Sequence, residues 1–291
     1  MSLRDEILSK ISSIPAMPTV IVKIRKLLSN PDVNFKELAQ TIKYDPGLTS
    51  NILRLANSAY FGFSRSVNSI QHAIVRLGMK RTYELAVAAA IAPMTQKAVK
   101  GYDLLPGKLW EHSVAVAIGA EQLASVLNLK APDYTFTAGL LHDIGKIVLG
   151  TFVEVDAAPI MTLAFQKGVS FDQAEKQVLG INHAEVGAIL LEKWNLPECI
   201  VDVDRWHHQP DMFQGDTHVL DLVHVADVLS MMGGLGIGKD GLNYHSSSEV
   251  ASRLKLTAKI TETVVCKIMS GMKELSSLFS SGIREGNRNS S

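Results

Sequence analysis

The stretch Leu140-Leu-His-Asp-Ile-Gly-Lys146 decides how this chain is interpreted. Its first residues continue an apolar helical run, and His142 and Asp143 follow as adjacent side chains that can bind one cation together. The carboxylate of Asp143 can also bridge to a second cation. Lys146 lies three and four residues beyond the pair, so a helix that continues brings its ammonium group back over the same face. The stretch therefore predicts a cation site at the end of a buried helix.

Further histidine and aspartate residues strengthen this prediction, because each falls at a helix end or on an apolar helix face in the same part of the chain. They are His112, His183, His207, His208 and Asp227. Imidazole and carboxylate groups are the ligands that zinc and first-row transition metals favour. Asp227 shares a helical stripe with Leu220, Val223 and Met231. A buried ionised carboxylate costs several kcal/mol unless a positive charge meets it, and a metal ion would do so.

Each of these residues also has an ordinary structural explanation. His112 or His183 alone would more often be a hydrogen-bonded, partly buried histidine, and His207 or His208 could simply cap a helix. Asp227 could pair with Arg205 or His224, and Lys146 could be a solvated lysine. Taken together the residues favour the metal site, because the ordinary explanation needs several independent coincidences. The remaining histidines fit the pattern less well and are expected to be ordinary surface or core residues: His72, His218, His224 and His245.

The composition limits the classes of function. The chain has 291 residues, 46% of them hydrophobic and 20% charged, as in a globular protein with a sizeable core. Its formal net charge is zero, so it lacks the broad cationic field that drives nucleic-acid binding, and nucleic acid is not expected as a partner. No apolar run is expected to span a membrane, and the N-terminus lacks a signal-peptide core. With two isolated cysteines, this predicts a cytoplasmic protein without a membrane partner.

Helical periodicity dominates the chain, and strand-like alternation is missing, so the fold class is predicted to be all-α. The main predicted helices are Val20 to Leu28, Leu48 to Ala59, Thr82 to Ala92, Lys108 to Leu127, Tyr134 to Leu149, Asp156 to Lys167, Ser170 to Leu179, His183 to Trp194, Pro197 to Trp206, His218 to Met232, and Glu249 to Phe279 with a break. Turn formers in Lys100–Gly107 mark a boundary between two helical lobes. The predicted organisation is residues 1–105, residues 106–282 and a disordered tail at 283–291.

Two loops attract attention for other reasons. Gly233-Gly-Leu-Gly-Ile-Gly-Lys-Asp240 nearly spells a phosphate-binding P-loop, but aspartate replaces the hydroxyl ligand for magnesium and the segment follows a helix, so nucleotide binding there is not expected. Asn57-Ser-Ala-Tyr-Phe-Gly-Phe63 gathers aromatic residues in a turn. That turn either pins the loop onto the core, which is the commoner use, or forms a partner-binding surface.

The order His, His-Asp, His, His-His, Asp over residues 108 to 230 resembles the HD-domain superfamily of metal-dependent phosphohydrolases. The resemblance matches His112, His142, Asp143 and Asp227 to the core metal ligands of that superfamily. It matches His183, His207 and His208 to the extra histidines of the binuclear HD-GYP phosphodiesterases, and Lys146 to a lysine that contacts phosphate. It thus implies catalytic roles for Asp143 and Lys146, and an HD-like helical bundle for the second lobe.

A more specific resemblance covers nearly the whole chain. The motifs Ile14–Pro18, Asp45–Ser58, Ser69–Gly78, Thr137–Gly145 and Gly238–Leu242 are similar to those of the HDOD family, which comprises all-α bacterial signalling domains. Many HDOD members have lost the metal ligands, whereas this chain keeps the full set. It departs from HD-GYP enzymes after His208, where Gln-Pro-Asp-Met-Phe replaces the Gly-Tyr-Pro segment, and at Lys108, where trinuclear sites carry a glutamate.

The resemblances imply two divalent transition metal ions held about 3.5–4 Å apart by Asp143, with iron favoured over manganese and zinc. His112, His142 and Asp227 would hold one ion, and His183, His207 and His208 the other. The expected function is a metal-binding regulatory module that meets signalling proteins through its first lobe. The alternative is an active phosphohydrolase that acts on a cyclic dinucleotide or nucleotide, and a phosphate-containing nucleotide is also the expected small ligand.

Overall fold

The protein is helical throughout the part of the chain that the structure, a computed structural model, describes. That part comprises residues 2–30, 33–58, 60, 66–241, 244 and 246–280, with side chains described up to residue 275. The structure is 71% helical, and its described residues contain no β-strand, only an isolated bridge between Val99 and Leu104. The all-α prediction is confirmed. The turn predicted at Asn57–Phe63, His245, Leu242 of the last HDOD motif and the tail at 283–291 fall wholly or partly outside the described residues.

The α-helices are numbered in chain order. They are α1 (Leu3–Ser13), α2 (Thr19–Leu28), α3 (Phe35–Lys43), α4 (Pro46–Ala56), α5 (Ile70–Thr95), α6 (Lys108–Val126), α7 (Thr135–Leu141), α8 (Gly145–Ile147), α9 (Ala157–Lys167), α10 (Phe171–Leu179), α11 (His183–Lys193), α12 (Glu198–Trp206), α13 (His218–Met232), α14 (Ser248–Arg253) and α15 (Ala258–Ser280). Short 3₁₀ turns occupy Lys100–Tyr102 and Pro210–Met212, and a π-helical turn occupies Val148–Val153.

The chain forms two compact units. The larger unit contains residues 1–15 and 94–269, and the smaller unit contains residues 16–93 and 270–291. The predicted lobes, 1–105 and 106–282, would place residues 94–105 outside the larger unit, and they also differ from it in the placement of the first helix. Lys193 explains that placement, because its ammonium group donates to the carbonyls of Ile11, Ser12 and Ile14, each at 2.9 Å. These bonds join α1 to α11 within the larger unit.

Two helices of the smaller unit begin at capping residues that are visible in the sequence. Asp45 accepts a hydrogen bond from the backbone N–H of Leu48 at 2.9 Å, and Pro46 occupies the first helical position of α4. Asn34 caps α3 in the same way through Lys36 N. Gly78 has a φ of 80°, a left-handed value that suits glycine, and it kinks α5 before the stretch predicted as a helix at Thr82–Ala92. The apolar side chains of α2, α3 and α4 form the core of this unit.

Small residues let three helices of the larger unit approach closely. A Cβ added to Gly119 of α6 would lie 3.0 Å from Ala226 Cβ of α13, and one added to Gly139 of α7 would lie 2.8 Å from Ala117 Cα of α6. Glycine and alanine at such crossings remove the side-chain bulk that normally separates helix axes. The site depends on this packing, because α6, α7 and α13 each contribute predicted ligands.

The helix predicted at Tyr134–Leu149 is broken, and this prediction was wrong. Helix α7 ends at Leu141, and the chain then turns through hydrogen bonds spanning three residues, from Ile144 N to Leu141 O and from Lys146 N to Asp143 O. The cause is local: the His142 ring takes the Gly139 carbonyl as its partner, at 2.8 Å, and so competes with the backbone. A π-helical turn follows α8, a distortion that is frequent at functional sites.

The segment Thr135–Val153 is long and apolar enough to cross a membrane by length and composition alone. The sequence analysis missed this, since it found no apolar run of that length. In the structure 83% of the apolar part of this segment is buried inside the protein, so the segment forms part of the hydrophobic core.

Arg253 clamps α14 to α13, and we expect Arg253→Ala to lower the free energy of unfolding by about 2 kcal/mol. The guanidinium donates to both carboxylate oxygens of Asp221, at 2.8 and 2.9 Å, and the substitution leaves that buried carboxylate without its cation. Urea denaturation measures the effect. Arg205→Ala is the matched control, because Arg205 pairs with the exposed Glu192 and should cost less than about 1 kcal/mol. Equal losses in the two variants would contradict the prediction.

Candidate metal centre

The structure brings all seven predicted ligands together in the larger unit. They fall into two groups, and within each group the ligand-type atoms lie within 4.8 Å of one another. The first group, called the first set below, is His112, His142 and Asp227. The second group contains Asp143 and three histidines, His183, His207 and His208. These three histidines, without Asp143, are called the second set below.

Asp143 faces both sets with different oxygens. Its Oδ2 lies 3.4 Å from His112 Nε2 and 3.5 Å from His142 Nε2, both in the first set. Its Oδ1 lies 3.5 Å from His183 Nε2 and 3.8 Å from His207 Nε2, both in the second set. A carboxylate placed in this way can bridge two cations, one oxygen to each.

Asp227 also lies among the histidines of the site. It pairs with neither Arg205 nor His224, the two alternative partners that the sequence suggested. Its Oδ1 lies 3.0 Å from His112 Nε2, and its Oδ2 lies 3.8 Å from His208 Nδ1. Arg205 pairs with Glu192 instead. His224 hydrogen-bonds the His207 carbonyl at 2.7 Å and accepts from Ser247 N at 3.0 Å. His224 is therefore a buried core residue whose ring supports the second set through the His207 carbonyl.

Three of the imidazoles are oriented by backbone carbonyls. Nδ1 of His112, His142 and His207 lies 3.1, 2.8 and 2.5 Å from the carbonyl oxygens of Leu235, Gly139 and Asp204. Since a carbonyl oxygen only accepts, each Nδ1 carries a proton, and Nε2 is the ring atom left to face the carboxylates or a cation. Among the described residues none of these buried Nε2 atoms has a hydrogen-bond partner. This is the arrangement of metal-binding histidines, whose second nitrogen is fixed by an outer partner.

His183 is oriented by a carboxylate that the sequence analysis did not identify. Glu175 Oε2 accepts hydrogen bonds from the His183 backbone N–H at 2.6 Å and from its Nδ1 at 2.7 Å. The Tyr102 hydroxyl donates to the other oxygen of Glu175. The contact turns His183 Nε2 toward Asp143 and toward His208 Nε2, which lies 2.9 Å away. A signal was present, since Glu175 lies four residues from both Phe171 and Leu179 on the buried face of α10.

We expect Glu175→Gln to weaken cation binding at the second set by about 10–100-fold and to leave the first set unchanged. The amide preserves the shape of the side chain but removes the charge that raises the basicity of His183. Titration of metal-depleted protein against a competing chelator measures both affinities. Glu192→Gln, which changes an exposed glutamate of α11, is the control. Equal weakening at both sets would contradict the assigned role.

The electrostatics of the cluster suit cations. Burial would raise the pKa of Asp143, but Lys146 and the surrounding histidines outweigh it and hold that pKa well below its usual range. Burial likewise opposes ionisation of Asp227, and His112 and His142 hold its pKa low. Burial lowers the pKa of His207 to about 3, so this imidazole is neutral and able to bind a metal. For His183, burial lowers the pKa, but Glu175 more than compensates and raises it.

Lys146 is buried and ion-paired, so its interpretation as a solvated lysine was wrong. Its side chain is 5% exposed, and its Nζ lies 2.9 Å from Asp143 Oδ2 and 2.7 Å from Asp240 Oδ2. Burial would lower the pKa of Lys146, but the two aspartates raise it well above its usual range. The ammonium group therefore stays charged at the edge of the centre.

Asp204 is a second buried carboxyl that the sequence analysis missed. Neither of its oxygens has a hydrogen-bond partner among the described residues, and burial, with a contribution from Asp143, raises its pKa well above the usual range. Asp204 packs directly against Gly187 of α11, because a Cβ on Gly187 would meet Asp204 Oδ2 at 2.4 Å. The small residue at 187 thus makes room for this carboxyl group.

The residues present fit a pair of transition metal cations. The donors are imidazole nitrogens and carboxylate oxygens, which zinc, iron and manganese accept. Several of these donor atoms are buried and lack any hydrogen-bond partner among the described residues. Among the described residues, the buried acids at the site, Asp143, Asp227, Glu175 and Asp240, outnumber the buried lysine there, Lys146. An excess of buried negative charge is costly unless cations balance it.

Comparison with known proteins identifies the family. The HDOD domain family matches residues 14–210, more than half of the chain. The chain therefore belongs to the HDOD domain family, as the sequence motifs indicated.

Solved structures support the same assignment across both units. An HDOD domain protein of unknown function from Geobacter sulfurreducens is 27% identical, with a TM-score of 0.71 over 97% of this chain and 94% of that one. A candidate phosphohydrolase from Shewanella amazonensis SB2B is 26% identical, with a TM-score of 0.69 over 92% of this chain and 97% of that one. The neighbours are thus HDOD proteins and phosphohydrolase-like proteins.

The relatives found by sequence are longer than this chain. An uncharacterized protein of Treponema pallidum is 26% identical over 209 residues, which are 71% of this chain but 40% of that protein. Ribonuclease Y of Thermus thermophilus is 30% identical over 150 residues, which are 52% of this chain and 20% of the enzyme. The chain thus spans less than half the length of these relatives.

Proposed function

We propose that this protein is a bacterial HDOD-type signal-transduction module whose larger unit binds two divalent transition metal ions. The observation that carries the proposal is the placement of Asp143, whose two carboxylate oxygens face two different groups of buried histidines. A structural histidine cluster has no need of a carboxylate shared in this way. The HDOD family match supports the signalling context, and the relative from Treponema pallidum supports a bacterial origin.

The proposal gives each predicted ligand a role. His112, His142 and Asp227 hold one ion, and the second set holds the other, with Asp143 between them. Three of the donors are imidazoles fixed by backbone carbonyls, which suits iron, manganese or zinc, with iron the favoured choice. Glu175 and Tyr102 support the second set from outside.

The second candidate function is a metal-dependent phosphohydrolase acting on a cyclic dinucleotide or nucleotide. The observation that favours it is Lys146, a charged ammonium group at the edge of the centre. Two bound cations would stabilise the charge that develops on phosphoryl oxygens. Asp143 and Lys146 would then be the residues that contact the reacting group. The regulatory function is preferred because Lys146 is already paired with Asp240.

The partners and location belong to the same proposal. Signalling proteins would bind the smaller unit, and a phosphate-containing nucleotide would bind at the centre. The composition, with its balanced charge, supports a cytoplasmic module that binds neither nucleic acid nor membranes.

Elemental analysis of protein purified without chelators tests the proposal. We expect about two equivalents of transition metal per chain, and we expect removal of the metal to lower the melting temperature, because binding energy adds to folding energy. Less than about a tenth of an equivalent, with no change in melting on adding iron, manganese or zinc, would contradict it.

Turnover of a phosphodiester panel by the iron- and manganese-loaded protein separates the two functions. Hydrolysis that disappears in Asp143→Asn would establish the enzyme. Inactivity across the panel, alongside an active HD-domain enzyme under the same conditions, would leave the regulatory module.

A further inference from the structure

Asp240 occupies the place beside Lys146 where an incoming oxyanion would bind. Its Oδ2 lies 2.7 Å from Lys146 Nζ, and its side chain is 6% exposed. Lys146 is also 2.9 Å from Asp143, so two carboxylates already share one ammonium group. Asp143 faces the ligands of both sets, whereas Asp240 belongs to neither set.

The glycine-rich stretch that resembles a P-loop delivers Asp240 to this position. Its first part is anchored at α6, where the Leu235 carbonyl binds the His112 ring and a Cβ on Gly236 would meet His112 Cβ at 2.5 Å. Its last part is anchored at Tyr102, whose carbonyl accepts from Lys239 N at 2.8 Å. Glycine is needed at the approach to α6 because the chain passes almost in contact with His112. The stretch therefore positions a carboxylate, not a phosphate.

Tyr244 binds the same oxygen of Asp240 as Lys146 does. Its hydroxyl donates to Asp240 Oδ2 at 3.0 Å. Its ring stacks on the His208 ring, with centroids 4.1 Å apart and planes 5° apart. Asp240 is thus connected both to the lysine and to a histidine of the second set, and its position is tied to the centre itself.

We infer that Asp240 is the specificity-determining residue of this centre, because it competes with phosphate-bearing ligands for Lys146. The inference rests on the proposed function and deepens it. A phosphate group brings negative charge to a place that already holds two carboxylates, and like charges at contact distance oppose binding. Phosphate can therefore bind Lys146 only when the Asp240 carboxylate is neutralised or moves away from the lysine.

Affinity for inorganic phosphate tests the inference. Asp240→Asn keeps the shape and removes the charge, and we expect it to tighten phosphate binding at least about tenfold in a calorimetric titration. Tyr244→Phe keeps the ring on His208 but removes the bond to Asp240, and it should tighten binding by a smaller factor, about twofold to threefold. Asp103→Asn is the control: this aspartate is 68% exposed and lies 4.0 Å from Lys239, so its loss should not change the affinity.

The outcomes separate this inference from the proposed function, because metal content is measured on the same samples. If Asp240→Asn is folded and binds phosphate no more tightly than the original protein, the inference is overturned. If that variant does not fold, an unchanged affinity in Tyr244→Phe overturns it equally. Absence of bound metal contradicts the proposed function instead, and the phosphate comparison still decides the role of Asp240, since Lys146 and Asp240 face each other in either case.

Discussion

Asp143→Asn is expected to abolish cation binding at both sets, so that bound metal falls from about two equivalents to below about 0.2 per chain. Loss of an outer partner of a metal ligand already costs about 10–100-fold in affinity, and Asp143 faces both sets directly. The amide offers one neutral oxygen and one NH₂ group, so it cannot place an anionic oxygen toward each set. Elemental analysis after purification measures the change.

Single-set substitutions provide the comparison for Asp143. His112→Ala removes a donor of the first set alone, and His208→Ala removes a donor of the second set alone, so each should retain about one equivalent. Asp202→Asn is the matched control, since Asp202 lies on α12 outside both groups and should leave the metal content unchanged. If Asp143→Asn lost only one equivalent, the bridging assignment would be wrong.

Gly145→Ala is expected to lower the free energy of unfolding by at least about 3 kcal/mol, the upper end for overpacking. A Cβ at this position would lie 1.9 Å from the His183 carbonyl oxygen and 2.7 Å from Gly187 N, and both are backbone atoms that cannot rotate away. Helices α8 and α11 would have to separate, which also moves His183. We expect the melting temperature to fall by roughly 6–12 °C, and thermal denaturation measures this change.

Gly47→Ala is the control for steric crowding by a methyl group. Gly47 is exposed in the first turn of α4, and an added Cβ would meet only Asp45 Oδ1, at an ordinary 3.5 Å. Alanine also has the higher helix propensity, so this variant should be unchanged or slightly more stable. A Gly145→Ala protein as stable as the Gly47→Ala protein would show that α8 and α11 are not packed as described.

The sequence predicted the helices wherever local signals decide them. Helix α13 has the predicted bounds His218–Met232, and α9 begins one residue after the predicted start because Asp156 is its cap. The prediction failed at Tyr134–Leu149, where a side chain competes with the backbone for the Gly139 carbonyl. Apolar periodicity contains no information about that competition. The grouping of α1 with the larger unit depends on a long-range contact, because Lys193 binds it across 179 to 182 residues of chain.

The candidate site divides in the same way. The seven histidine and aspartate residues were identified by residue type, order and resemblance to a family. Their supporting partners were not, since Lys146 meets Asp240 across 94 positions and Glu175 lies in a helix with no recognised motif. The P-loop comparison drew attention to Asp240 only as a departure from that motif and did not indicate its ion pair with Lys146. Long-range pairs of this kind depend on tertiary packing, which one sequence does not specify.

The backbone carbonyls that orient His112, His142 and His207 affect how this family can diverge. Replacing one of these histidines removes the donor to a backbone carbonyl, and a carbonyl at a helix end or in a loop can turn to water or to another donor. His183 differs, since its loss leaves Glu175 as a buried acid with an unmet charge. The outer contacts of the three carbonyl-bound histidines therefore do not by themselves oppose their loss in descendants of such a protein, whereas His183 and Glu175 are expected to disappear together.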